Sequence, residues 1–115
     1  MPELTIARDI EREWREADPS WPGKARPNEP GLRYKSLMEA PNIKRVQYEP
    51  EHFEAPHSHN DDEIIYLLAG QIYLGDRVVA AGDCLFVPKN TRYSLRAGPQ
   101  GAEFVRLGFQ LGLPD

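Results

Sequence analysis

The sequence contains a single cysteine, Cys84. One cysteine excludes an internal disulfide framework and also excludes a zinc site built from four cysteines. Cys84 lies in the apolar segment DCLFVP. We therefore expect it to be a small buried side chain rather than a nucleophile.

Long apolar runs and clusters of basic residues are also missing. The longest apolar run, residues 64–69, is far too short to cross a bilayer, and the N-terminus carries acidic residues where a signal peptide has an apolar stretch. The 14 basic residues are scattered among 18 acidic ones, and the net charge is −4. Because phosphate binding needs clustered Lys and Arg, the sequence predicts no nucleic acid as partner. The short apolar run and the acidic N-terminus predict a cytoplasmic protein with no membrane as partner.

Proline and glycine are frequent, with eleven and nine residues in a chain of 115. That density argues against a helical bundle and favours short strands joined by turns. Gly75-Asp76, between QIYL and RVVA, predicts a tight hairpin. The sequence predicts eight short strands, typical of an all-β sandwich or barrel: 33–39, 44–49, 63–68, 71–74, 77–80, 84–87, 93–96 and 103–110.

The first part of the chain has a different pattern, and we assign residues 1–31 to an N-terminal arm and residues 32–115 to the β-barrel domain. Three apolar residues recur every four positions: Ile6, Ile10 and Trp14. This spacing predicts one face of a short helix, followed by a proline-rich extended segment. Because free tails seldom carry tryptophan, we expect the arm to pack Trp14 and Trp21 on the barrel.

The segment PHSHNDDE, residues 56–63, carries most of the chemistry. His57 and His59 are two residues apart, so both imidazoles project from the same face if the segment is a strand. Glu63 follows after a short polar turn. Two imidazoles and a carboxylate suit divalent Fe, Mn, Ni, Zn or Cu. Spacing alone leaves open a surface loop that is merely rich in His and Asp.

This segment resembles the first motif of the cupin superfamily, G-x5-H-x-H-x3-4-E-x6-G. The chain supplies His57, His59, Glu63 and the closing Gly70 at that spacing, and Glu51 stands at the opening glycine.

The second cupin motif, G-x5-P-x-G-x2-H-x3-N, is partly present. Gly82 and Pro88 match it. Three positions differ from the motif: Asn90 replaces its second glycine, Tyr93 its histidine and Ala97 its asparagine.

The resemblance covers residues 32–110 and implies a cupin-type jelly-roll β-barrel. In that family three histidines and one glutamate typically bind a divalent metal inside the barrel. His57, His59 and Glu63 are then the metal ligands implied here, with Fe, Mn, Ni, Zn or Cu as the ion. Because a carboxylate buried without a partner is costly, the resemblance favours a bound metal.

Tyr93, at the place of the third histidine, leaves three interpretations open. The metal is held by the two histidines and Glu63 alone; Tyr93 ligates it or hydrogen-bonds a metal-bound water or substrate; or the pocket binds no metal firmly and serves as a binding cavity. A free phenol titrates near pH 10, about three units above neutrality, which favours a hydrogen-bonding Tyr93 over a ligating one.

The function implied is a metal-dependent enzyme, of the dioxygenase or the isomerase or lyase type, that acts on a small organic molecule. Tyr93 and Glu63 are its candidate catalytic residues. The alternative is a non-catalytic cupin that binds or senses a small molecule.

Several other residues give weaker signals. His52 is interpreted as a surface loop residue. Three arginines are candidate anchors for an anionic substrate: Arg92, Arg96 and Arg106. Alternation puts the first two on the face opposite Tyr93. The segment EIIYLL is apolar on both faces, which predicts a cover from the arm or from a second subunit, and we expect a homodimer.

Overall fold

The structure is a computed structural model that describes residues 4–16 and 31–110. These residues form a short 3-10 turn, Asp9–Glu11, and eight strands: β1 Arg15–Glu16, β2 Leu32–Met38, β3 Asn42–Tyr48, β4 Phe53–His57, β5 Asp62–Leu74, β6 Arg77–Ala80, β7 Cys84–Val87 and β8 Tyr93–Phe109. In the described part of the chain, no helix is long and apolar enough to cross a membrane.

All strand pairs are antiparallel, in the order β1-β2-β3-β8-β5-β6, with β4 also paired to β8 and β7 to β5. The prediction of an all-β fold is confirmed. Two long strands, β5 and β8, each include two of the predicted segments. They continue because shifts of register, as between Leu67 and Ala69, bend the strand without ending its pairing.

The predicted hairpin is present, since Leu74 pairs with Arg77 across Gly75 and Asp76. Gly75 has φ +62°, the left-handed conformation that such a turn requires. The hairpin brings β6 back along the outer end of β5.

Four motif positions have positive φ angles, and Gly82, with φ +91°, is one of them. Gly70 has φ +76°, and a Cβ at this position would collide with the carbonyl oxygen of Gly101 on β8. Glu51 and Asn90, which replace two motif glycines, have φ +64° and +62°. The chain therefore keeps the backbone conformation of the motif at both replaced positions, although non-glycine residues adopt it less readily.

The hydrophobic core lies inside the barrel, where inward residues alternate with outward ones along each strand. Leu67 and Ile72 are fully buried. The core cluster is completed by Leu32, Val46, Ile65, Leu95, Ala97, Ala102 and Phe104. This packing fixes which side chains of β3, β4, β5 and β8 face the interior.

The helix predicted for the arm is wrong. Ile6 and Ile10 are 71% and 90% exposed, and the three-residue 3-10 turn is the only helical element in the described part of the arm, which ends in strand β1. The arm is held by polar contacts instead: Asp9 accepts hydrogen bonds from Lys35 and Arg45, both at 2.8 Å. A helix this short gains too little from its own hydrogen bonds to form without a buried apolar face.

Trp14 packs on the barrel as expected. It is half-buried, and the guanidinium of Arg33 lies 4.5 Å from its ring centre, with the ammonium of Lys35 at 5.0 Å. Trp21 lies outside the described residues, and the boundary between residues 31 and 32 stays a prediction. The described arm is therefore attached through cation–π and ion-pair contacts to β2 and β3.

The expectation that Cys84 is buried is also wrong. Cys84 is exposed, and it pairs with the outward-facing Tyr66 on β5. The apolar neighbours of Cys84 in sequence did not imply that it is buried. The outer face of β5 and β7 carries apolar side chains that the described residues do not cover.

Candidate functional site

The two motif histidines meet at the end of β4. His57 is the last residue of the strand, and its Nδ1 donates to the carbonyl oxygen of Ala55 at 2.6 Å, which leaves the lone pair on Nε2. His59 lies beyond the strand, so strand alternation is not what brings the two imidazoles together. The turn nevertheless brings their ring centres to 4.9 Å, and the backbone N–H of Asn90 holds the carbonyl of His59 at 2.7 Å.

Glu63 on β5 is the centre of the site, and it is only 3% exposed. The hydroxyl of Tyr93 donates to its Oε1 at 2.8 Å, and Nε of Arg106 donates to its Oε2 at 2.6 Å. Nε2 of His59 lies 3.8 Å from the same Oε2. The ring of Tyr93 is 4.6 Å from that of His57, so all four predicted site residues come together.

The register of β5 and β8 explains how Arg106 reaches Glu63. Glu63 pairs with Gly108, two residues beyond Arg106. A Cβ at Gly108 would collide with the guanidinium of Arg106 and the carboxylate of Asp61. This glycine therefore leaves the space in which Arg106 also bonds Asp61, at 3.2 Å.

Burial and charge set the protonation of the site. Burial, reinforced by the charge and hydrogen bond of Glu63, raises the pKa of Tyr93. Burial lowers the pKa of His59, and the carboxylate of Glu63 offsets only part of that effect. Burial alone would lower the pKa of Arg106, but Glu63 and Asp61 outweigh it and raise the pKa. At neutral pH the site thus offers a neutral phenol beside a cationic guanidinium.

A second cation lies nearby on β3. Nζ of Lys44 donates to Oδ1 of Asn42 at 2.9 Å, and Nη1 of Arg106 donates to the same oxygen at 3.0 Å. Burial lowers the pKa of Lys44, and the neighbouring charge of Arg106 lowers it further. Two basic residues that line the cavity therefore meet at one amide oxygen.

These side chains line a cavity of about 230 Å³ inside the barrel. Pockets for drug-sized ligands have volumes of about 300–1,000 Å³, so this one suits a smaller molecule. Its apolar wall consists of Leu32, Val46, Ile65 and Phe104. Its polar wall consists of Tyr34, Lys44, Tyr48, Glu54, His57, His59, Glu63, Tyr93 and Arg106.

Sequence reasoning missed Glu54 and misjudged His52. His52 is 6% exposed, not a surface residue, and its Nε2 lies 3.3 Å from Oε1 of the buried Glu54. Alternation along HFE predicts a common face for these two residues. Glu54 and His57 are three residues apart, so regular alternation would place them on opposite faces of β4. The register shift between them lets both side chains face the interior.

Of the three arginines considered as anchors, only Arg106 lines the cavity. Arg92 and Arg96 are exposed, as expected from alternation, and Arg96 lies 4.9 Å from the ring centre of Phe53. Phe104, two positions before Arg106 on β8, also lines the cavity, so the two side chains share the inward face of the strand.

The predicted metal ligands fit a divalent ion in type but not in arrangement. His57, His59 and Glu63 supply suitable nitrogen and oxygen donors. However, both oxygens of Glu63 already accept hydrogen bonds, and one faces a guanidinium. Across residues 4–16 and 31–110, no group of three or more His, Cys, Asp or Glu side chains is arranged to hold a metal ion.

Comparisons with solved structures give the same fold. KdgF from Halomonas sp. superposes with a TM-score of 0.72 at 19% identity, covering 96% of this chain and 97% of that one. A predicted oxalate decarboxylase from Thermotoga maritima gives 0.71 at 21% identity, covering 93% and 100%. Fe(II)-HppE with the alternative substrate (S)-1-HPP gives 0.69 at 19% identity, covering 92% and 60%.

Sequence comparison identifies the family. No curated protein matches the sequence. The family model described as Cupin domain matches residues 44–105, more than half of the 115 residues. This range includes both motifs and the cavity residues of β3, β4 and β5. The chain therefore belongs to the cupin family.

Proposed function

We propose that this chain is an enzyme that binds a small organic acid in the barrel cavity and moves a proton on it, as an isomerase or lyase does. The observation that carries the proposal is Glu63, a buried carboxylate on the cavity wall bonded to Tyr93 and Arg106. Buried ionisable groups that face a cavity with such partners are typical of catalytic sites.

The charges of the cavity favour an acid as substrate. Lys44 and Arg106 both line it, and guanidinium and ammonium groups bind carboxylates. The apolar wall of Val46, Ile65 and Phe104 suits the hydrocarbon part of the same molecule. The acid is therefore expected to place its carboxylate near β3 and its chain against the core.

Glu63 and Tyr93 have complementary roles in this proposal. Glu63 accepts a proton from a carbon next to the substrate carbonyl group, and Tyr93, kept neutral by its raised pKa, donates a hydrogen bond or a proton to the developing oxygen charge. Arg106 holds Glu63 in place and balances its charge. The catalytic residues of this proposal are Glu63 and Tyr93.

Proton transfer can be tested without knowing the product. A panel of small carboxylic and keto acids is incubated with the protein in D2O, and loss of C–H signal is followed by proton NMR. We expect exchange with wild type, and at least a hundredfold slower exchange with Glu63→Gln and Tyr93→Phe, in line with the roughly 10²–10⁴-fold that general acid–base catalysis contributes.

Matched controls for this experiment lie outside the cavity. Tyr66→Phe changes an exposed tyrosine on the outer face of β5, and Glu103→Gln changes a carboxylate that pairs with Arg45. Both should exchange at the wild-type rate. Binding of an acid without any C–H exchange would overturn the proposal that the chain is an enzyme and favour a non-catalytic binding cupin.

A second candidate is a metal-dependent cupin, including a dioxygenase. It is favoured by the adjacent imidazoles of His57 and His59, whose ring centres lie 4.9 Å apart, and by the Fe(II) in HppE. His57, His59 and Glu63 would hold the ion, which would polarise a substrate oxygen or, as Fe(II), supply redox chemistry. Glu63 would have to exchange Arg106 for the ion.

Metal analysis by plasma mass spectrometry separates the two candidates. If the metal-dependent candidate holds, wild type should carry near-stoichiometric Fe, Mn, Ni, Zn or Cu, and His57→Ala/His59→Ala should lose it. Arg106→Met should bind the ion more tightly, because a competing cation is removed. Uptake that is equal in all three proteins would overturn this candidate.

A further inference from the structure

The cavity has a second buried carboxylate that the proposed chemistry does not use. Glu54 lines the cavity, and its side chain is 6% exposed. His52 lies behind it with its side chain 3% exposed and its Nε2 3.3 Å from Oε1 of Glu54. Tyr48 is beside it, and burial, followed by the charge and hydrogen bond of Glu54, raises the pKa of that tyrosine.

This group lies toward the opposite end of the barrel from Arg106. On β3, Lys44 pairs with Arg106, whereas Tyr48, four residues further on, pairs with Ala102. Four strand residues span roughly 13 Å between Cα atoms. The inward side chains Val46 and Phe104 lie between the two ends. The cavity thus has a polar group at each end and an apolar middle.

Backbone hydrogen bonds and ring contacts fix the orientation of the His52 side chain. Its backbone N–H donates to the carbonyl of Glu49 at 3.1 Å, and its own carbonyl accepts from Ala97 at 2.8 Å. A Cβ at Gly31 would collide with Nδ1 of its ring, so the imidazole fills the space that this glycine leaves. The ring also packs on Tyr48, with centres 4.7 Å apart.

We propose that Glu54, positioned by His52, binds a hydroxyl group of the ligand, so that the cavity takes a small hydroxy acid whose hydroxyl lies several carbon atoms from its carboxylate. The ligand's carboxylate faces Lys44 and Arg106, and its hydroxyl donates to the carboxylate of Glu54. This proposal rests on the proposed function in one respect only: both take this cavity as the site where the substrate binds. Glu54 is then a ligand-binding residue and His52 a positioning residue.

Burial supports this assignment. A buried carboxylate costs free energy to desolvate even beside polar neighbours such as His52 and Tyr48, and a hydrocarbon side chain would fill the same position more favourably if only packing mattered. A ligand hydroxyl gains a hydrogen bond to the charged acceptor that Glu54 offers, and an analogue without the hydroxyl lacks that bond. Glu54 therefore discriminates between a hydroxy acid and its deoxy counterpart.

Isothermal titration calorimetry with matched pairs of acids tests the assignment. The pairs are 4-hydroxybutyrate with butyrate, 5-hydroxypentanoate with pentanoate, and 6-hydroxyhexanoate with hexanoate, in which the hydroxyl lies at the far end of the chain from the carboxylate. For at least one pair, wild type should bind the hydroxy acid about tenfold or more tightly than its deoxy partner, as expected for a hydrogen bond to a charged group. Glu54→Leu should bind both members equally.

Two further variants separate binding from positioning. Glu54→Gln keeps the shape and should retain only part of the preference, since a neutral hydrogen bond is weaker than a charged one. His52→Gln should reduce the preference for the hydroxyl while leaving the affinity for the deoxy acid unchanged, which a general loss of structure would not do. Glu103→Gln, on a carboxylate that does not line the cavity, should behave as wild type.

The outcomes distinguish this proposal from the proposed function. If wild type binds acids but shows no preference within any pair, the Glu54 assignment is overturned while the acid-binding cavity stands. A preference that survives in Glu54→Leu overturns it equally. If wild type prefers 4-aminobutyrate or 6-aminohexanoate to the hydroxy acids, an ammonium rather than a hydroxyl binds Glu54, and the proposal is overturned. If no acid binds, both proposals fail.

Discussion

Arg106 donates from Nε to Oε2 of Glu63 at 2.6 Å, so the carboxylate that the motif assigns to a metal already has a cation beside it. The contact is buried, with side-chain exposures of 14% and 3%. Removing one partner of a buried ion pair is costly because the other charge stays in a medium of low dielectric. This pair therefore governs both the stability of the barrel and the chemistry of the cavity.

Arg106→Met is expected to lower the free energy of unfolding by about 3–5 kcal/mol, the usual cost of leaving a buried charge unpaired. Adding Glu63→Gln to this variant should recover part of the loss, because the unpaired charge is then removed as well. Urea denaturation followed by circular dichroism measures both effects. Arg96→Met is the control, since Arg96 is exposed, and a loss as large in that variant would contradict the assignment.

The protonated phenol of Tyr93 predicts a pH dependence of stability. The pKa of Tyr93 is raised in the folded state. The contribution of its phenol to the free energy of unfolding is therefore fully present below the unfolded pKa of about 10 and is lost as the pH rises above that value. The unfolding free energy of wild type should fall more steeply above about pH 10 than that of Tyr93→Phe, by up to about 1.4 kcal/mol per pH unit. Parallel curves for the two proteins would show that the phenol is not held neutral by the fold.

Gly70 and Gly75 provide a matched pair for the role of the motif glycine. Both have left-handed φ angles, but a Cβ at Gly70 would collide with the carbonyl of Gly101, whereas Gly75 has open space around it. Gly75→Ala should cost about 1–2 kcal/mol, from backbone conformation alone. Gly70→Ala should cost clearly more, measured by thermal unfolding, because β5 and β8 must also separate. Equal costs would show that close approach of the strands plays no part.

The outer face of β5 and β7 predicts association of two chains. Tyr66, Leu68 and Phe86 are 45%, 44% and 47% exposed there. We propose that a second copy of the chain covers this face, because contiguous exposed apolar patches mark protein interfaces. Phe86→Ser should shift a dimer toward monomer in sedimentation velocity, while Phe53→Ser, on another strand, should not. A wild type that is monomeric at all concentrations would refute the dimer.

Much of the fold followed from local patterns. Alternation and turn residues predicted the strands from residue 32 onward except β4, which no predicted segment covers, and Gly75-Asp76 predicted the β5–β6 hairpin. In sequence, a bulge and the end of a strand both interrupt the alternation of inward and outward residues. The predicted segments therefore divide β5 and β8 in two. The arm was misjudged because a helical spacing of Ile6 and Ile10 says nothing about whether any surface will cover them.

The sequence alone predicted that His57, His59 and Glu63 come together, because they match the cupin motif within one short segment; their spacing without the motif would have left a surface loop possible. Only the tertiary structure decided what surrounds them. Arg106 reaches Glu63 through the register of β5 and β8, and Glu54 faces the cavity through a bulge in β4. Register and bulges depend on pairing between distant segments, and no local pattern encodes that pairing.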